Sequence, residues 1–481
     1  MKWTPVCSSD FLMRSIGTTC FLCASATLGC ASALLVTPPA TAPATAEPLL
    51  AGMALATFDS VWSVVQRTYV DTGFVATRWS AVRDSLRPQA MAVTTRPGLD
   101  KLLASTLAQI PDSHFYIIPA NVASEVNADR DDQSSSGDGT TGMSVRIAGD
   151  GALVWRVDPG SPADLAGVRP GQWVEKINER VVRASIRKVM SLTDASRQRA
   201  FSELAFKLNN PLSAAVGDSV RIRLVKPGER SSFERTLVAV PKKGTVSKFG
   251  NLPPIAGIVR VGRQPLVSSA TGGSYGHGCI GTIAFSIWLP ALAPELERAV
   301  ESVADCTGIV LDVRGNPGGV GAMVMGFGGF FVELPVSLGT MRTRDLSLNF
   351  TINPRRLRVN GVESGPFKGP VAILVDPMTA STSEIFAAGM QRIGRARVFG
   401  ERSAGAALPA LMHGLPSGDV FVHAIADFRD PSGSRIEGAG VIPDEIIPLR
   451  QADLSNNVDA PLDAAIRWMS LTRTTGNAPL H

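Results

Sequence analysis

Three adjacent hydroxyl residues, Ser381, Thr382 and Ser383, stand before Glu384 in the stretch TASTSEIFAAG, residues 379–389. The stretch follows an apolar run, VAILVD, and opens an Ala-rich helical pattern. A serine at a strand-to-helix turn has unpaired N–H groups and the positive end of the helix dipole beside it, which suits a nucleophile that must stabilise an oxyanion. The alternative is a plain helix N-cap at Ser381 or Thr382, with Glu384 favourable in the first turn.

A glycine-rich turn, RGNPGG at residues 314–319, follows a second apolar run, GIVLDV. Gly318 and Gly319 allow the backbone to approach a ligand closely and to direct N–H groups at developing negative charge. Ligand chemistry in an open α/β sheet collects at the carboxyl ends of the strands, where this turn and Ser381 both lie. One interpretation is an oxyanion hole formed by the N–H of Thr382 with that of Gly318 or Gly319. An ordinary strand-to-loop turn is the other.

Residues 276–450 predict an α/β domain that holds both motifs. Apolar strand patterns such as CIGTIAFSI, GIVLDV, VAILVD and ARVFG alternate there with the helical patterns PELERAVESVAD and SEIFAAGMQRI. Strands that are apolar throughout are typical of a largely parallel sheet covered on both faces. Phe285 and Phe386 are candidates for a side-chain pocket, although core packing is the simpler use of each. A C-terminal helix and tail, residues 451–481, follow the domain.

Ahead of this domain, the mature chain opens on a small helical module, residues 51–120. Apolar residues such as Phe58 and Val61 recur there at helical spacing. A Pro/Ala/Thr linker, residues 34–50, precedes the module, and a polar, Gly/Ser-rich linker, residues 121–141, follows it. The chain is therefore divided into several domains.

Residues 142–241 read as five short strands, with the turn sequence DPGSPADLAGVRPG between the second and the third. This order resembles a PDZ domain, and the portion GSPADLAGVRPGQWVEKIN carries the resemblance. The resemblance implies capture of a peptide carboxylate by strand addition at a binding loop. That loop is Gly142, Met143, Ser144 and Val145. The stretch 181–212 is longer than a minimal PDZ domain needs, and a connector, residues 242–275, leads to the α/β domain.

The first 33 residues read as a secretory signal peptide that ends near the small-residue site ASA. Two alternatives stay open. One is an uncleaved membrane anchor, because the apolar run is just long enough to span a bilayer. The other is a lipid attached to Cys30 in the sequence TLGC. We expect contact with a membrane only through such an anchor or lipid.

The bulk composition restricts the partners and the redox chemistry. The formal net charge of +5 is spread without a basic block, so nucleic acid is not an expected partner. Four of the six cysteines lie in the leader, which leaves Cys279 and Cys306 in the mature chain. Export allows a disulfide between them, and two buried thiols are the alternative. Neither arrangement indicates a metal site.

The motifs GIVLDVRGNPGG and VAILVDPMTASTSEIFAAGMQRIGRARVFGERSAG, in this order, resemble the C-terminal processing and tricorn-type serine peptidase family. The resemblance covers nearly the whole mature chain. It implies a multi-domain α/β protein with a helical module, a PDZ domain and a crotonase-like (Clp protease-like) catalytic domain. It also implies Ser381 as the nucleophile, with Ser383 as its helix-side neighbour. One branch of the family pairs its serine with a lysine, but Ala406 occupies the aligned position here, and no lysine follows Val371.

The tricorn-type branch implies a different base. The sequence DSH supplies Ser113 and His114, and RIEGAGVIPD supplies Glu437. By this resemblance His114 is the general base, Ser113 orients its imidazole, and Glu437 holds Ser113. The scheme is chemically sound because a histidine titrates near neutrality and needs a third group to fix its tautomer. Asp112 is the rival orienter, and a solvated acid is the alternative interpretation of Glu437.

The combined prediction is an exported serine endopeptidase that hydrolyses protein or peptide substrates through an acyl-enzyme on Ser381. No metal or organic cofactor is called for, and the resemblance favours a bacterial periplasm or cell envelope. Two other functions stay open: a catalytically silent PDZ-containing binding or scaffold protein, and an ester hydrolase that uses the same residues. Arg314 is expected to pair with a carboxylate or cap its turn, with the carboxylate of a bound peptide as an alternative partner.

Overall fold

The computed structural model describes residues 48–120, 139–247, 255–265 and 278–474. The predicted signal peptide and Cys30 lie outside these residues, as do most of the two predicted linkers. Within the described part of the chain, no helix is both long and apolar enough to cross a bilayer. A helical N-terminal region, a PDZ-like β domain and an α/β catalytic domain follow one another, which confirms the predicted fold class.

The N-terminal module is helical. Its elements are α1 (Met53–Thr68), α2 (Thr72–Phe74), the π-helical turn Val75–Trp79, α3 (Ser80–Ala92) and α4 (Arg96–Leu107). Val65, Tyr69 and Trp79 are fully buried in its core. Phe421 of the catalytic domain belongs to the same hydrophobic cluster. The module and the catalytic domain therefore share one core, which fixes the module against that domain.

The PDZ-like domain is a sheet in the order β3-β4-β5-β7-β8, with β6 beside β5. Its strands are β2 (Gly139–Thr140), β3 (Met143–Ala148), β4 (Gly151–Val157), β5 (Trp173–Ile177), β6 (Arg180–Val181), β7 (Ser219–Val225), β8 (Ser232–Val238) and β9 (Val240–Pro241). β3 is an edge strand, and β2 pairs only with β9. The short helix α5 (Pro162–Leu165) is capped by the Ser161 hydroxyl.

The long stretch 181–212 of this domain, to which the sequence analysis assigned no structure, contains two helices. They are α6 (Val182–Met190) and α7 (Asp194–Asn209), followed by the 3₁₀ turn Asn210–Ser213. α7 packs along β3. α7 therefore flanks the free edge of the sheet, where a peptide would add as a further strand.

The catalytic domain is built on a six-stranded sheet in the order β12-β13-β14-β19-β20-β24. These strands are β12 (Val259–Pro265), β13 (Cys279–Phe285), β14 (Gly308–Asp312), β19 (Val371–Val375), β20 (Ala396–Gly400) and β24 (Glu445–Ile446). The last five are parallel, and only β12 runs antiparallel to its neighbour. The largely parallel sheet is therefore confirmed.

Helices cover both faces of this sheet. They are α8 (Ala293–Val303), α9 (Met323–Gly328), α10 (Thr382–Arg392) and α12 (Ala460–Thr474), whereas the short α11 (Gln451–Ser455) contacts Gly171 of the PDZ-like domain. On one face, Leu311 and Ile373 pack in a cluster with Phe386 of α10. On the other face, Leu374 packs with Met469 of α12. Successive residues of a strand thus enter opposite cores, which explains why these strands are apolar at nearly every position.

Smaller sheets surround the central one. Their strands are β1 (Tyr116–Ile118), β10 (Thr245–Ser247), β11 (Ile255–Gly257), β15 (Val336–Arg342), β16 (Ser347–Ile352), β17 (Leu357–Val359), β18 (Val362–Ser364), β21 (Ala410–Gly414), β22 (Val420–Ala424) and β23 (Asp427–Arg429). β1 pairs antiparallel with β22, with Tyr116 opposite Val422. Because Ser113 and His114 directly precede β1, this pairing delivers both residues to the catalytic domain.

The structure of this domain bears on two predictions that had alternatives, the state of the two cysteines and the use of two phenylalanines. Cys279 at the start of β13 forms a disulfide with Cys306 in the turn before β14. Phe285 and Phe386 are both buried, and each packs edge-on or tilted against the ring of Trp288. Both therefore belong to the core, and Phe285 also lines a cavity between the PDZ-like domain and the catalytic domain.

Candidate active site

Ser381 lies where β19 turns into α10. Its backbone has φ 54° and ψ −121°, far from the extended conformation of an ordinary N-cap residue. The Ser381 N–H is shared between the Ala406 carbonyl at 2.7 Å and Glu384 Oε2 at 3.1 Å. Ser381 therefore occupies the N-cap position of α10 in a conformation that simple capping does not require.

Glu384 anchors the loops around Ser381. Its side chain is fully buried. The carboxylate accepts four hydrogen bonds, from Ser381 N at 3.1 Å, Ser403 Oγ at 2.5 Å, Gly405 N at 2.7 Å and Ala406 N at 2.9 Å. Burial raises the pKa of the Glu384 carboxyl to about 7, while the bonds from Ser403, Gly405 and Ala406 act in the opposite direction. From the sequence, Glu384 was expected only to be favourable in the first turn of the helix.

Gly318 packs directly on Ser381. A Cβ at Gly318 would lie 2.6 Å from Ser381 Cβ, and Gly318 has φ +101°, so a larger residue does not fit. Its N–H is already used, because it donates to Asn316 Oδ1 at 3.0 Å. Gly318 and Gly319 are therefore not equivalent as oxyanion donors, and Gly319 is the one left available.

Thr382 connects the start of α10 to the glycine loop, because its hydroxyl donates to the Gly319 carbonyl at 2.8 Å. Within the described residues, neither the Thr382 N–H nor the Gly319 N–H donates a hydrogen bond. Unpaired N–H groups at a helix N-terminus attract negative charge. The arrangement is suited to an oxygen that becomes anionic during a reaction.

His114, Ser113 and Glu437 form a second group just ahead of β1. Ser113 donates twice to Glu437, from its N–H to Oε1 at 2.7 Å and from its hydroxyl to Oε2 at 2.9 Å. The Ser113 hydroxyl oxygen also lies 2.7 Å from His114 Nδ1. Ser113 and Glu437 are buried, so Glu437 is no solvated acid. Burial raises the pKa of the Glu437 carboxyl, against hydrogen bonds from Ser113 and Ala407.

These bonds fix the tautomer of His114. The Ser113 hydroxyl has one hydrogen, and it goes to the Glu437 carboxylate, which when ionised can only accept. The remaining contact, between Ser113 Oγ and His114 Nδ1, then requires the proton on Nδ1. Nε2 keeps its lone pair. The imidazole is therefore held in the form that a general base needs.

The segment 405–407 connects the two groups. Ala406 accepts from the Ser381 N–H at 2.7 Å and donates to Glu384 Oε2 at 2.9 Å. The next residue, Ala407, donates to Glu437 Oε2 at 2.8 Å. The Ala406 carbonyl and the Ala407 N–H belong to one peptide unit, which thus connects the Ser381 turn to the carboxylate that holds Ser113. Ala406, where the other family branch has lysine, contributes its backbone only.

His114 is partly buried and has a left-handed backbone conformation with φ 61°. Burial lowers the pKa of its imidazole to about 4, and the nearby positive charge of Arg199 adds to this. Arg199 belongs to α7 of the PDZ-like domain. Its Nη1 contacts three successive carbonyls ahead of Ser113, those of Ile110 at 3.2 Å, Pro111 at 3.2 Å and Asp112 at 2.6 Å.

Three other predicted residues are engaged elsewhere. Asp112 accepts from the Tyr69 hydroxyl at 2.8 Å and from Arg435 at 2.7 Å, so its carboxylate does not orient His114. Arg314 pairs with Asp312 and Asp459, each at 2.7 Å, in agreement with the expectation of a carboxylate partner. Ser383 is buried and accepts a hydrogen bond from Trp288 Nε1 at 2.9 Å.

The predicted peptide-binding loop is partly occupied by the protein itself. The Gly142 N–H donates to Thr140 Oγ1 at 2.9 Å. Val145 exchanges two hydrogen bonds with the Asn209 side chain, its N–H donating at 2.9 Å and its carbonyl accepting at 3.0 Å. The two residues between them line a cavity. The backbone of Val145 is therefore not available to a peptide that adds to the edge of β3.

Several residues of the site carry no signal in the sequence. Arg199 contacts backbone far along the chain, and Asn316 contacts backbone within its own loop. Of the residues that the sequence left without a role in the site, Glu384 alone has a local signal, the capping-box spacing to Ser381. The fold and the site fit a serine hydrolase with a serine at a strand-to-helix turn and an appended PDZ-like domain.

Comparison with known proteins makes the assignment specific. Residues 280–447 match the model of Peptidase family S41, and residues 153–201 match the PDZ domain. The chloroplastic C-terminal processing peptidase of Tetradesmus obliquus is 25% identical over 409 residues, 81% of this chain and 78% of the relative. The putative tricorn protease homolog 2 of Streptomyces coelicolor is 24% identical over 427 residues, 85% of this chain and 32% of that protein.

A solved structure, the photosystem II D1 C-terminal processing protease, shares the fold with a TM-score of 0.52 at 19% identity, over 88% of this chain and 98% of that one. These findings confirm the predicted resemblance. The catalytic domain is an S41 peptidase domain, the β domain before it is a PDZ domain, and the chain is a serine-type peptidase.

Proposed function

We propose that this chain is an endopeptidase in which Ser381 attacks the scissile carbonyl and His114 accepts the serine proton. The observation that carries the proposal is the backbone connection through residues 405–407, which ties the Ser381 turn to the group of Ser113, His114 and Glu437. A nucleophile and its base must be held in fixed relation for general base catalysis.

The proposed oxyanion hole consists of the N–H groups of Thr382 and Gly319. Both are unpaired within the described residues, and the Thr382 hydroxyl fixes the two loops relative to each other. Each such donor is worth about 10²–10³ in kcat in serine peptidases. After attack, the tetrahedral intermediate collapses to an acyl-enzyme on Ser381, and the leaving amine takes the proton from His114. A water molecule then attacks the acyl-enzyme. His114 takes a proton from this water and returns it to Ser381 as the acid product leaves.

His114 is suited to this role because its lowered pKa, about 4, keeps the imidazole neutral at pH 7. Ser113 and Glu437 are positioning residues in the proposal. They hold the proton on Nδ1 and leave the Nε2 lone pair for Ser381. A base of low pKa is fully available at neutral pH, although each proton transfer has less driving force.

The proposed substrates are proteins or peptides, and the proposed location is outside the cytoplasm. The leader sequence supports export, and a disulfide such as Cys279–Cys306 is stable in an oxidising compartment. Separation of cell fractions, with mass spectrometry of the mature N-terminus, tests this part. A protein that stays in the cytosol with residues 1–33 intact contradicts it.

The test of mechanism is labelling of the purified mature protein with a fluorophosphonate probe, which reacts with activated serines. We expect wild type to be labelled, with loss of label in Ser381→Ala and in His114→Ala. Ser383→Ala is the matched control, because Ser383 is the neighbouring buried hydroxyl and its loss removes only the acceptor of Trp288 Nε1. A folded wild type that takes no label would favour a silent binding protein.

A further inference from the structure

The positive charge of the chain is concentrated in one domain, although the sequence has no basic block. Residues 139–247, which contain the PDZ domain, hold 18 Lys and Arg against 10 Asp and Glu, a net charge of +8. The whole chain has a net charge of +5, so the other residues together carry −3. An excess of one sign over a whole domain creates a field that attracts surfaces of the opposite charge.

Helix α6 presents part of this charge on its outward side. Val182 and Ile186 bury its inward side in the PDZ core. The helix sequence, VRASIRKVM, has three basic residues and no acidic one. With the residue that ends the preceding hairpin, they form an exposed basic surface, called here the α6 face: Arg180, Arg183, Arg187 and Lys188.

The charges of the α6 face are largely uncompensated. Among the residues that the structure describes, Arg183 alone of the four has an ion pair, with Asp150 at 3.3 Å. Both side chains of that pair are more than half exposed, so the attraction between them is weak. Glu179, which directly precedes Arg180, is engaged by Arg221. The face therefore keeps a clear excess of positive charge.

Other helices of the chain do not share this property. On α7, Glu203 pairs with both Arg199 and Lys207. The sequence of α8, APELERAVESV, also contains both signs of charge. Mixed signs are typical of a helix side that only contacts water, whereas a basic helix side is typical of one that meets an anionic surface.

Exposed apolar side chains lie at both ends of the α6 face. Val181 precedes the helix and is 45% exposed, Met190 ends it at 46%, and Leu192 follows at 37%. No aromatic residue occurs between positions 180 and 193. Proteins that bind nucleic acid without sequence preference stack bases on aromatic rings. Aliphatic side chains beside basic ones are suited instead to the boundary between lipid headgroups and acyl chains.

We propose that the α6 face docks the chain onto an anionic lipid surface. The basic side chains contact lipid phosphates, while Val181, Met190 and Leu192 enter the boundary between headgroups and acyl chains. Each Lys or Arg held near an anionic membrane tightens binding about fivefold, so four of them give a reversible attachment that salt weakens. This contact is separate from the leader, to which the sequence analysis limited any contact with a membrane.

Flotation of the purified mature protein with lipid vesicles tests the proposal. The vesicles contain phosphatidylcholine alone or with about one third phosphatidylglycerol, at about 0.1 M and about 1 M salt, where the Debye length is about 10 and about 3 Å. We expect binding to the anionic vesicles at the lower salt concentration, and little binding otherwise. Arg187→Gln with Lys188→Gln should weaken it about 25-fold. Lys226→Gln with Arg230→Gln, in the turn between β7 and β8, removes the same charge from the same domain and should weaken it far less.

A fluorescent label at position 190 tests where the contact forms. Cys279 and Cys306 are paired, so Met190→Cys supplies the one free thiol of the mature protein for an environment-sensitive fluorophore. We expect its emission to shift to the blue when anionic vesicles are added. The matched control is Leu165→Cys on α5, where the side chain is 81% exposed but lies outside the α6 face, and its emission should not shift.

Three results would overturn the proposal: equal weakening by the two double substitutions, an unshifted emission from Met190→Cys, or tighter binding of a short DNA duplex than of anionic vesicles through the same two residues. Fluorophosphonate labelling of Arg187→Gln with Lys188→Gln, without vesicles, should match wild type. Neither residue belongs to the proposed catalytic group, so loss of vesicle binding with normal labelling concerns the α6 face alone. Normal melting temperatures confirm that the variants are folded.

Discussion

Ser381 and Ala406 are joined by a backbone hydrogen bond of 2.7 Å from the serine N–H to the alanine carbonyl. The same peptide unit continues into Ala407, whose N–H holds Glu437. The position that a Ser–Lys peptidase gives to its base is used here as a structural bridge between the Ser381 turn and the group of Ser113, His114 and Glu437. The backbone performs this function, so any small residue at 406 would serve.

Glu384 should be essential for the geometry of Ser381 although it does not contact substrate. Glu384→Ala leaves three donors without an acceptor, the Ser403 hydroxyl and the N–H groups of Gly405 and Ala406, and we expect a loss of about 3–5 kcal/mol in the free energy of unfolding. Glu384→Gln keeps one oxygen and should lose less stability. Urea denaturation measures both, and fluorophosphonate labelling should slow in each. Unaltered stability of Glu384→Ala would show that the network contributes nothing.

Ser113 should act on the reaction through His114. Ser113→Ala removes the hydroxyl that holds Nδ1, so we expect labelling of Ser381 to slow at least about tenfold. Ser113→Thr keeps a hydroxyl and should restore much of the rate, which a merely structural role of the Ser113 hydroxyl would not predict. The melting temperature is recorded in parallel. Equal labelling rates for Ser113→Ala and wild type would exclude Ser113 as an orienting residue.

The pH profile of labelling should report His114. Only the neutral imidazole accepts a proton, so the rate should rise with pH through an apparent pKa of about 4 and stay level near neutrality. Arg199→Gln removes a positive charge that lowers this pKa, and we expect the midpoint to move to higher pH. Lys207→Gln, on the same helix, is the matched control because Lys207 pairs with Glu203. Identical midpoints in Arg199→Gln and wild type would contradict the electrostatic role.

Acid should destabilise the fold through buried histidines. Burial lowers the pKa of His423 to about 4, with the charge of His413 adding to this, while an unfolded histidine has a pKa near 6.5. Between these values the unfolded state binds more protons, so stability falls as pH decreases from about 6.5 to about 4. His423→Gln should flatten this slope in urea titrations at several pH values. The exposed His413→Gln should change it far less.

The disulfide should stabilise the catalytic domain. Cys279 and Cys306 close a loop with a sequence separation of 27, and loss of such a bridge costs about 2–4 kcal/mol. The double substitution Cys279→Ser and Cys306→Ser should lower the urea midpoint accordingly. Alkylation of the denatured, unreduced mature protein checks the bridge directly, because a formed bridge leaves neither cysteine to modify. Two modified cysteines would indicate free thiols.

The sequence correctly predicts the helices and strands that depend on a local pattern of residues. The apolar runs around Val371 and Gly308 became central strands, and the Ala-rich pattern after Ser381 became α10, because periodicity and turn residues act over a few positions. Family resemblance brought Ser113 and Glu437 together although 324 residues separate them. Periodicity alone contains no information about that pairing.

Contacts between distant backbone and side-chain groups were not predictable. Arg199 reads as one of several charges on an exposed helix, and only the folded chain shows that it contacts the carbonyl of Asp112. Asn209 likewise closes part of the PDZ edge through Val145. Such contacts depend on how domains dock, which neither helix propensity nor hydrophobic spacing encodes.

The backbone of Ser381 combines φ 54° with ψ −121°, a conformation in which glycine is comfortable and other residues are strained by about 1–3 kcal/mol. The residue proposed to do the chemistry therefore opposes folding. If selection acted on folding alone, Ser381→Gly would be an improvement, and a lineage that lost its need for proteolysis would drift towards it. Under the proposed mechanism, the serine at this position is kept for the reaction at the expense of stability.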